Sequence, residues 1–99
     1  MAQIKWLPEA VSDLHRLHSF LEEHDHKTAV SAAGRILEGV KLLKTTPRLG
    51  RPMPNNDVKR RELSMSFGAG SYVIRYRFEN KDTVVIIRIW HSKENRTEQ

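Results

Sequence analysis

The sequence contains no cysteine, and its 99 residues include only five glycines and four prolines. Without cysteine, disulfide frameworks, thiolate metal sites and thiol nucleophiles are all excluded. No apolar run approaches the roughly 18 to 20 residues of a membrane-spanning helix, and the first ten residues lack the pattern of a signal peptide. We therefore expect a cytoplasmic protein with a single domain over residues 1–99, because one core typically organises roughly 100 to 150 residues.

The charge of the chain is unevenly distributed along its length. The formal net charge is +5. Residues 1–46 contain six basic and six acidic side chains, whereas the eleven basic and six acidic side chains that remain all follow Pro47. The whole positive excess therefore belongs to the second half of the chain, for which we expect an acidic partner.

The first half predicts two helices. Apolar residues recur every three or four positions over residues 7–21 and 29–43, which is the spacing of an amphipathic helix against a core. Pro8 suits a first helical turn, and Pro47 ends the second helix. The short polar break between the two predicts an antiparallel helical hairpin. The segment Gln3–Trp6 before them is predicted to be a strand.

The second half predicts three more strands. Residues 47–58 contain three of the four prolines and predict an irregular loop. Alternating patterns predict strands over residues 61–67 and 72–79, and a run that is apolar on both faces predicts a central strand, Thr83–His91. Residues 92–99 are predicted to be a flexible tail. This β-α-α-β-β-β order predicts an α+β fold, with the helical hairpin on one face of a small, twisted, mainly antiparallel sheet.

The strand over residues 72–79 has two unlike faces. One face is aromatic or aliphatic, and the other is mostly charged; the members are Tyr72, Ile74, Tyr76 and Phe78 on the first, and Val73, Arg75, Arg77 and Glu79 on the second. We expect the aromatic side chains to lie in the core, where they cannot stack on nucleic-acid bases. The charged face is expected to be solvated or functional.

Histidines are the remaining candidates for a metal site. Four of them lie close together in the first half: His15, His18, His24 and His26. They do not follow an HExxH spacing, and we interpret them as ordinary surface and turn histidines. The sequence therefore predicts neither a metal nor another cofactor.

The densest cluster of charge lies in and after the predicted loop. Five basic residues and one acid, Asp57, occur within fourteen positions; the basic residues are Arg48, Arg51, Lys59, Arg60 and Arg61. Such a cluster is typical of a phosphate-binding surface and equally of a solvated sheet edge. Both interpretations stay open at this point.

His91 ends the last predicted strand, where general acid–base chemistry is possible. Cleavage of RNA through its own 2′-hydroxyl needs a base, an acid and cations that stabilise the phosphorane, and His91 with Arg61 and Arg88 can supply these groups. The alternative is a histidine that is hydrogen-bonded to the backbone at the end of a strand.

Five segments, taken together, resemble the RelE/ParE toxin superfamily. They are Trp6-Leu-Pro-Glu-Ala-Val-Ser-Asp13-Leu14, Pro47-Arg-Leu-Gly50-Arg51-Pro52, Arg61-Glu62-Leu63, Tyr72-Val-Ile-Arg-Tyr76-Arg77 and Val85-Ile-Ile-Arg88-Ile-Trp-His91. They span nearly the whole chain, and the fold of the superfamily matches the predicted order of elements. The resemblance implies one of two activities. RelE-type members are ribosome-dependent messenger-RNA endonucleases, ParE-type members poison DNA gyrase, and an antitoxin holds both inactive.

Two departures from the nuclease pattern favour the ParE branch. Nuclease members carry an arginine after the tyrosine that opens the third strand, where this sequence has Val73. They also end an arginine-rich run after the last strand in a tyrosine, whereas the tyrosines here are Tyr72 and Tyr76. The resemblance thus implies a toxin without catalytic residues that stabilises the cleaved-DNA complex of gyrase. It further implies a cognate ParD-like antitoxin, and a role in plasmid maintenance or the stress response.

Site residues follow from this interpretation. The predicted target-binding residues are Arg48, Arg51, Arg60 and Arg61. The predicted antitoxin-binding residues, for which core packing is the alternative, are Leu14, Leu17, Leu21, Leu63 and Met65. If the chain is a nuclease, the catalytic candidates are Arg61, Arg88, His91 and Lys93. A third hypothesis is a non-toxic module whose basic half binds nucleic acid.

Overall fold

A computed structural model describes residues 1–53 and 59–94. The elements in chain order are β1 (Gln3–Trp6), α1 (Pro8–Glu22), α2 (His26–Thr45), β2 (Arg51–Pro52), β3 (Arg60–Phe67), β4 (Gly70–Asn80) and β5 (Thr83–His91). The strands form one five-stranded sheet in the order β1-β5-β4-β3-β2. Both helices pack on one face of this sheet, so the predicted α+β fold is confirmed.

Most neighbouring strands of the sheet are antiparallel. β2, β3, β4 and β5 are joined in this way, whereas β1 runs parallel to β5, with Trp6 opposite Ile86. β1 and β5 can be parallel because no tight turn joins them: the helical hairpin and three other strands lie between them in the chain. β5 lies between β1 and β4, as its apolar residues on both faces predicted.

The sheet contains one strand that the sequence pattern does not predict. Arg51–Pro52 lies in the predicted irregular loop but pairs with β3, with Arg51 opposite Glu62 and Pro52 opposite Arg61. Two residues are too few to show an alternating pattern, and proline is tolerated here because β2 is an edge strand. Residues 54–58 of the predicted loop and 95–99 of the predicted tail lie outside the described residues.

The residues at the start of each helix favour a first helical turn. Pro8 is in the first turn of α1, as predicted. The second helix begins at His26, earlier than its apolar stripe indicated, because the Asp25 carboxylate accepts hydrogen bonds from the Lys27 amide (3.2 Å) and the Thr28 hydroxyl (2.7 Å). The hydrogen bond from Thr28, and to a smaller extent that from Lys27, lowers the pKa of Asp25. Neither helix is long and apolar enough to cross a membrane.

The core lies between the helices and one face of the sheet. Ile36 and Leu43 of α2 are fully buried against this face, as are Ile74 and Ile86 of the sheet. Burying a side chain of this size contributes roughly 1.5 to 3 kcal/mol. The helix approaches so closely at Gly39 that an added Cβ would lie 2.0 Å from the Met65 sulfur.

Candidate functional site

A loop between α2 and β2 is fixed to the sheet by a tyrosine from the core. The hydroxyl of Tyr76 donates to the carbonyl of Pro47 (2.7 Å) and accepts from the amide of Gly50 (2.9 Å). Gly50 allows this approach, because an added Cβ would lie 2.6 Å from the Tyr76 oxygen. Burial raises the pKa of Tyr76 more than the hydrogen bond with Gly50 lowers it. The hydroxyl therefore stays protonated and holds both loop residues.

Arg61 holds the same loop from beneath. Its Nη1 donates to the carbonyl oxygens of Gly50 (2.7 Å) and Arg48 (3.3 Å), and its guanidinium lies 5.9 Å from the centre of the Phe78 ring. Its Nε is buried without a hydrogen-bond partner among residues 1–53 and 59–94. Arg61 was predicted to bind the target, and alternatively to act in catalysis. In the structure its side chain is engaged with the protein's own backbone.

Six basic residues lie around this loop and the adjacent strand ends; five of them are exposed and Arg77 is half-buried. We call this surface the cationic end, and it comprises Arg48, Arg51, Lys59, Arg60, Arg77 and Lys81. Arg60 and Arg77 are direct neighbours on β3 and β4, and Arg48 lies over the Phe78 ring at 5.6 Å. Three of the four predicted target-binding arginines are thus brought together, while the fourth, Arg61, lies beneath them.

The sheet face away from the helices carries Arg75 near its centre, between Glu62 and Trp90. Arg75 donates to the Glu62 carboxylate through Nε (2.9 Å) and Nη2 (2.7 Å), and its guanidinium lies 5.0 Å from the Trp90 ring. The sequence pattern predicted a solvated or functional face here. The pattern did not identify Trp90 as a member of it, because Trp90 lies within an otherwise apolar run.

The buried carboxylate of Asp13 joins α1 to the second half of β5, beyond the residues of β5 that pair with β1. Asp13 is only 3% exposed. It accepts two hydrogen bonds from the Arg88 guanidinium (2.8 and 3.0 Å), one from the Ile89 amide (2.9 Å) and one from Arg16 (3.2 Å). Burial raises the pKa of Asp13, but these hydrogen bonds together outweigh it and hold the pKa below its ordinary value. Arg88, a nuclease candidate, is therefore committed to an ion pair.

The opposite end of the molecule contains an apolar groove. It lies between the second half of α1, the turn joining β3 to β4, and the end of β5, and has a volume of about 660 Å³. We call it the apolar groove; it is lined by Leu17, Phe20, Leu21, Phe67 and Tyr72, and its polar rim is Arg16, His91, Lys93 and Glu94. Phe20 is 63% exposed although it is a large apolar side chain.

His91 lies on the rim of the apolar groove with both its ring and its backbone engaged. The imidazole meets the Tyr72 ring edge to face at 5.0 Å, and its Nδ1 accepts from the Lys93 amide (3.2 Å). The His91 amide donates to the Glu94 carboxylate (2.9 Å), which also pairs with Arg16. This arrangement agrees with the alternative of a histidine that is hydrogen-bonded to the backbone at the end of a strand. Nδ1 is the ring nitrogen that makes this hydrogen bond.

The nuclease candidates do not form one site. Arg61 is opposite Tyr76 on β4, whereas His91 is opposite Tyr72. These positions are four residues apart along one strand, roughly 13 Å at about 3.3 Å per residue. Of the four candidates, the structure brings together only His91 and Lys93.

The predicted antitoxin-binding residues are divided between the groove and the core. Leu17 and Leu21 line the apolar groove, although Leu17 is only 6% exposed. Met65 is buried under α2, and Leu14 and Leu63 are half-buried and pack against the core. Two further groove residues, Phe20 and Phe67, were not among the predicted ones. Phe20 follows Leu17 at a helical spacing of three, which is the signal that could have identified it.

The histidines of the helical hairpin do not assemble a metal site. His18 and His26 both approach the Glu22 carboxylate, His18 at 3.4 Å. Within residues 1–53 and 59–94, no group of three or more histidine, aspartate or glutamate side chains can hold a metal ion.

Together, the helical hairpin and the mixed sheet define a small α+β protein whose described residues form a cationic end and an apolar groove. Comparison with known proteins gives the same fold. The structure of a chromosomal ParDE toxin–antitoxin system from P. aeruginosa superposes with a TM-score of 0.70, covering 92% of this chain and 96% of that one at 22% identity.

The sequence comparisons define the family. A family model described as the ParE toxin of the type II toxin–antitoxin system parDE matches residues 4–96. Two relatives from Caulobacter vibrioides are named Toxin RelE3 and Toxin RelE1. The first is 38% identical and covers 97% of this chain and 100% of the relative; the second is 34% identical and covers 88% and 89%. The chain belongs to the ParE/RelE family of type II toxin–antitoxin toxins.

Proposed function

We propose that the chain is a ParE-type toxin that binds DNA gyrase and stabilises its cleaved-DNA complex. The observation that carries this proposal is the placement of Arg61 and Arg88. Arg61 donates to two loop carbonyls, and Arg88 is held by the buried Asp13 carboxylate. Cations that stabilise a phosphorane must be free to contact the developing charge. These two arginines instead maintain the shape of the toxin, which favours an action through binding.

The surface proposed to contact the gyrase complex is the cationic end. Arg48 projects from a loop that Tyr76 and Arg61 hold in one conformation, and Arg51 and Arg60 project from the adjoining strands β2 and β3. A loop fixed in advance loses little conformational entropy when a partner binds. Arg48, Arg51 and Arg60 are exposed on this rigid support.

The partner proposed for neutralisation is a ParD-like antitoxin. The apolar groove supports this part of the proposal, because Phe20 and the neighbouring wall of Leu21 and Phe67 leave apolar area for a partner to cover. A short amphipathic segment of the antitoxin that folds on binding would fit a groove of this kind. Leu17 and Leu21 keep their predicted role here as part of the groove wall.

A ribosome-dependent RNase is the second candidate function. It is supported by the names of the two relatives, which are both RelE toxins. His91 and Lys93 also lie together on the rim of the apolar groove. In this alternative, His91 acts in proton transfer and Lys93 stabilises the charge on the phosphate.

The experiment that tests the proposal combines purified toxin with gyrase, ATP and relaxed plasmid, and measures both supercoiling and linear DNA. We expect supercoiling to fall and linear DNA to accumulate. A folded Arg51→Glu/Arg60→Glu variant should lose at least tenfold in potency. The matched control, Lys27→Glu/Lys41→Glu, changes the net charge equally on α2 and should retain full potency.

A parallel reaction distinguishes the alternatives. Toxin is added to a ribosome-programmed translation extract, and cleavage of the messenger RNA is followed with wild type and with His91→Gln. Inactivity on gyrase together with cleavage that depends on His91 would replace the proposal with the RNase. Inactivity in both reactions would favour the hypothesis of a non-toxic binding module.

A further inference from the structure

Three arginines of the cationic end, Arg51, Arg60 and Arg77, lie on one face of the sheet. Cross-strand partners point to the same face of a sheet, so Arg60 and Arg77 lie side by side on the face away from the helices. Arg51 is opposite Glu62 and joins the same face from β2. Lys81, in the turn between β4 and β5, extends the surface beyond the strand ends. With strands about 4.8 Å apart, the arginines from β2 to β4 span roughly 10 Å.

The acids near this surface are mostly engaged with other partners. Glu62 is paired with Arg75 at 2.7 Å, and Glu79 is paired with Lys5 at 2.8 Å. Asp82, in the turn beside Lys81, is the remaining acid at this end within the described ranges. Basic side chains therefore outnumber acidic ones on this surface among the described residues.

We infer that the cationic end binds the phosphate backbone of duplex DNA directly. Duplex DNA carries about one negative charge per 1.7 Å of helix axis, which matches a dense row of cations better than the sparse charges of a folded protein do. Single-stranded nucleic acid would need an aromatic ring on which bases can stack. Neither nearby ring is open for this, because Arg48 and Arg61 lie over the Phe78 ring at 5.6 and 5.9 Å and Arg75 lies over the Trp90 ring at 5.0 Å. The contacts are therefore to phosphates and carry no sequence preference.

This inference goes beyond the proposed function, because it concerns a ligand that the chain binds in the absence of gyrase. It shares with that proposal only the surface. A chain that poisons gyrase but does not bind DNA alone would overturn this inference and leave the gyrase proposal standing. A chain that binds DNA but does not affect gyrase would overturn the gyrase proposal and leave this inference standing.

The test is the fluorescence anisotropy of a labelled 20-base-pair duplex titrated with the toxin at several salt concentrations. We expect saturable binding that weakens steeply with salt, because each phosphate contact releases about 0.9 counterions. The Arg51→Gln/Lys81→Gln variant should bind roughly tenfold more weakly per lost cation at 0.1 M salt, and its log–log salt slope should be smaller by about two. The Lys27→Gln/Lys41→Gln variant has the same net charge, and should bind like wild type.

Three results would overturn the inference. One is the absence of saturable binding at low salt. Another is an equal loss of affinity in the two double variants, which would assign the binding to net charge alone. The third is binding to a single-stranded RNA of the same length that is at least tenfold tighter than to the duplex. Circular dichroism of each variant establishes that it is folded, and Arg51→Lys/Lys81→Arg should restore binding by keeping the charges.

Discussion

The two ends of the sheet present their surfaces to partners in opposite ways. At the cationic end, the charges project from strand ends and from a loop whose backbone is held by hydrogen bonds from Tyr76 and Arg61. At the apolar groove, the side chains that line the surface are themselves apolar, and Phe20 projects from a regular helix. The cationic end is thus fixed by specific polar contacts, whereas the groove is shaped by the packing of whole elements. Substitutions should therefore separate the two surfaces.

The largest effect is expected from Asp13, which connects α1 with β5. Asp13→Ala leaves the Arg88 guanidinium and the Ile89 amide without their acceptor. Losing one partner of a buried ion pair costs about 3 kcal/mol, at the lower end of its range because Arg88 is partly exposed. Urea unfolding measures this loss. Glu38→Ala, which removes an exposed salt bridge with Arg35, should cost less than about 0.5 kcal/mol.

Antitoxin binding should depend strongly on Phe20 while folding does not. Because Phe20 is 63% exposed, Phe20→Ser should change the free energy of unfolding by less than about 0.5 kcal/mol. Loss of this apolar area should weaken the complex with the cognate antitoxin at least tenfold, measured by calorimetry, with gyrase inhibition unchanged. Val30→Ser on α2, where Val30 is 53% exposed, is the matched control. Equal affinities of the two variants would place the antitoxin elsewhere.

The cationic end should be loosened selectively by Tyr76→Phe. The change removes the hydroxyl that joins Pro47 to Gly50 and costs about 1.5 kcal/mol, because the buried Gly50 amide loses its acceptor. Hydrogen exchange of the Gly50 amide should accelerate, while amides around the apolar groove stay protected. Tyr72→Phe offers the matched control, because no hydrogen bond to the Tyr72 hydroxyl is present among the described residues. Unchanged exchange at Gly50 would contradict the fixed loop.

The smallest effect is expected on the free energy of unfolding at acidic pH. The pKa of Asp13 is lowered on folding, so its ionised form stabilises the protein above the ordinary value of 3.8, and this contribution is lost as the pH falls through the lower folded-state pKa. Below about pH 4, the unfolding free energy of wild type should therefore decrease more steeply than that of Asp13→Asn. Denaturation in urea at pH 5, 4 and 3 measures the difference. Parallel curves for the two proteins would show that other carboxylates determine the acid response.

The difference between the cationic end and the apolar groove also explains which features the sequence could predict. The helices, the four longer strands and the two faces of β4 follow from periodicity, because each pattern extends over at least four residues. The cationic end was predictable because most of its charges are neighbours in the sequence. The apolar groove was not, since Leu17, Phe67 and His91 come from three distant segments that only the packing of α1 against the sheet brings together. Nor did any local pattern reveal that Arg61 and Arg88 are engaged with backbone and with Asp13.

The parallel pair of β1 and β5 has a consequence for how the protein emerges during synthesis. Gln3 lies opposite Thr83, so β1, which is synthesised before β5, must wait for β5 before it can form this pair. Contacts between such distant parts of the sequence form late, because a long loop must close first. The loop held by Tyr76 likewise waits for β4. A growing chain therefore carries helices before it carries either completed surface, and an antitoxin that is already present can meet the toxin as soon as its sheet closes.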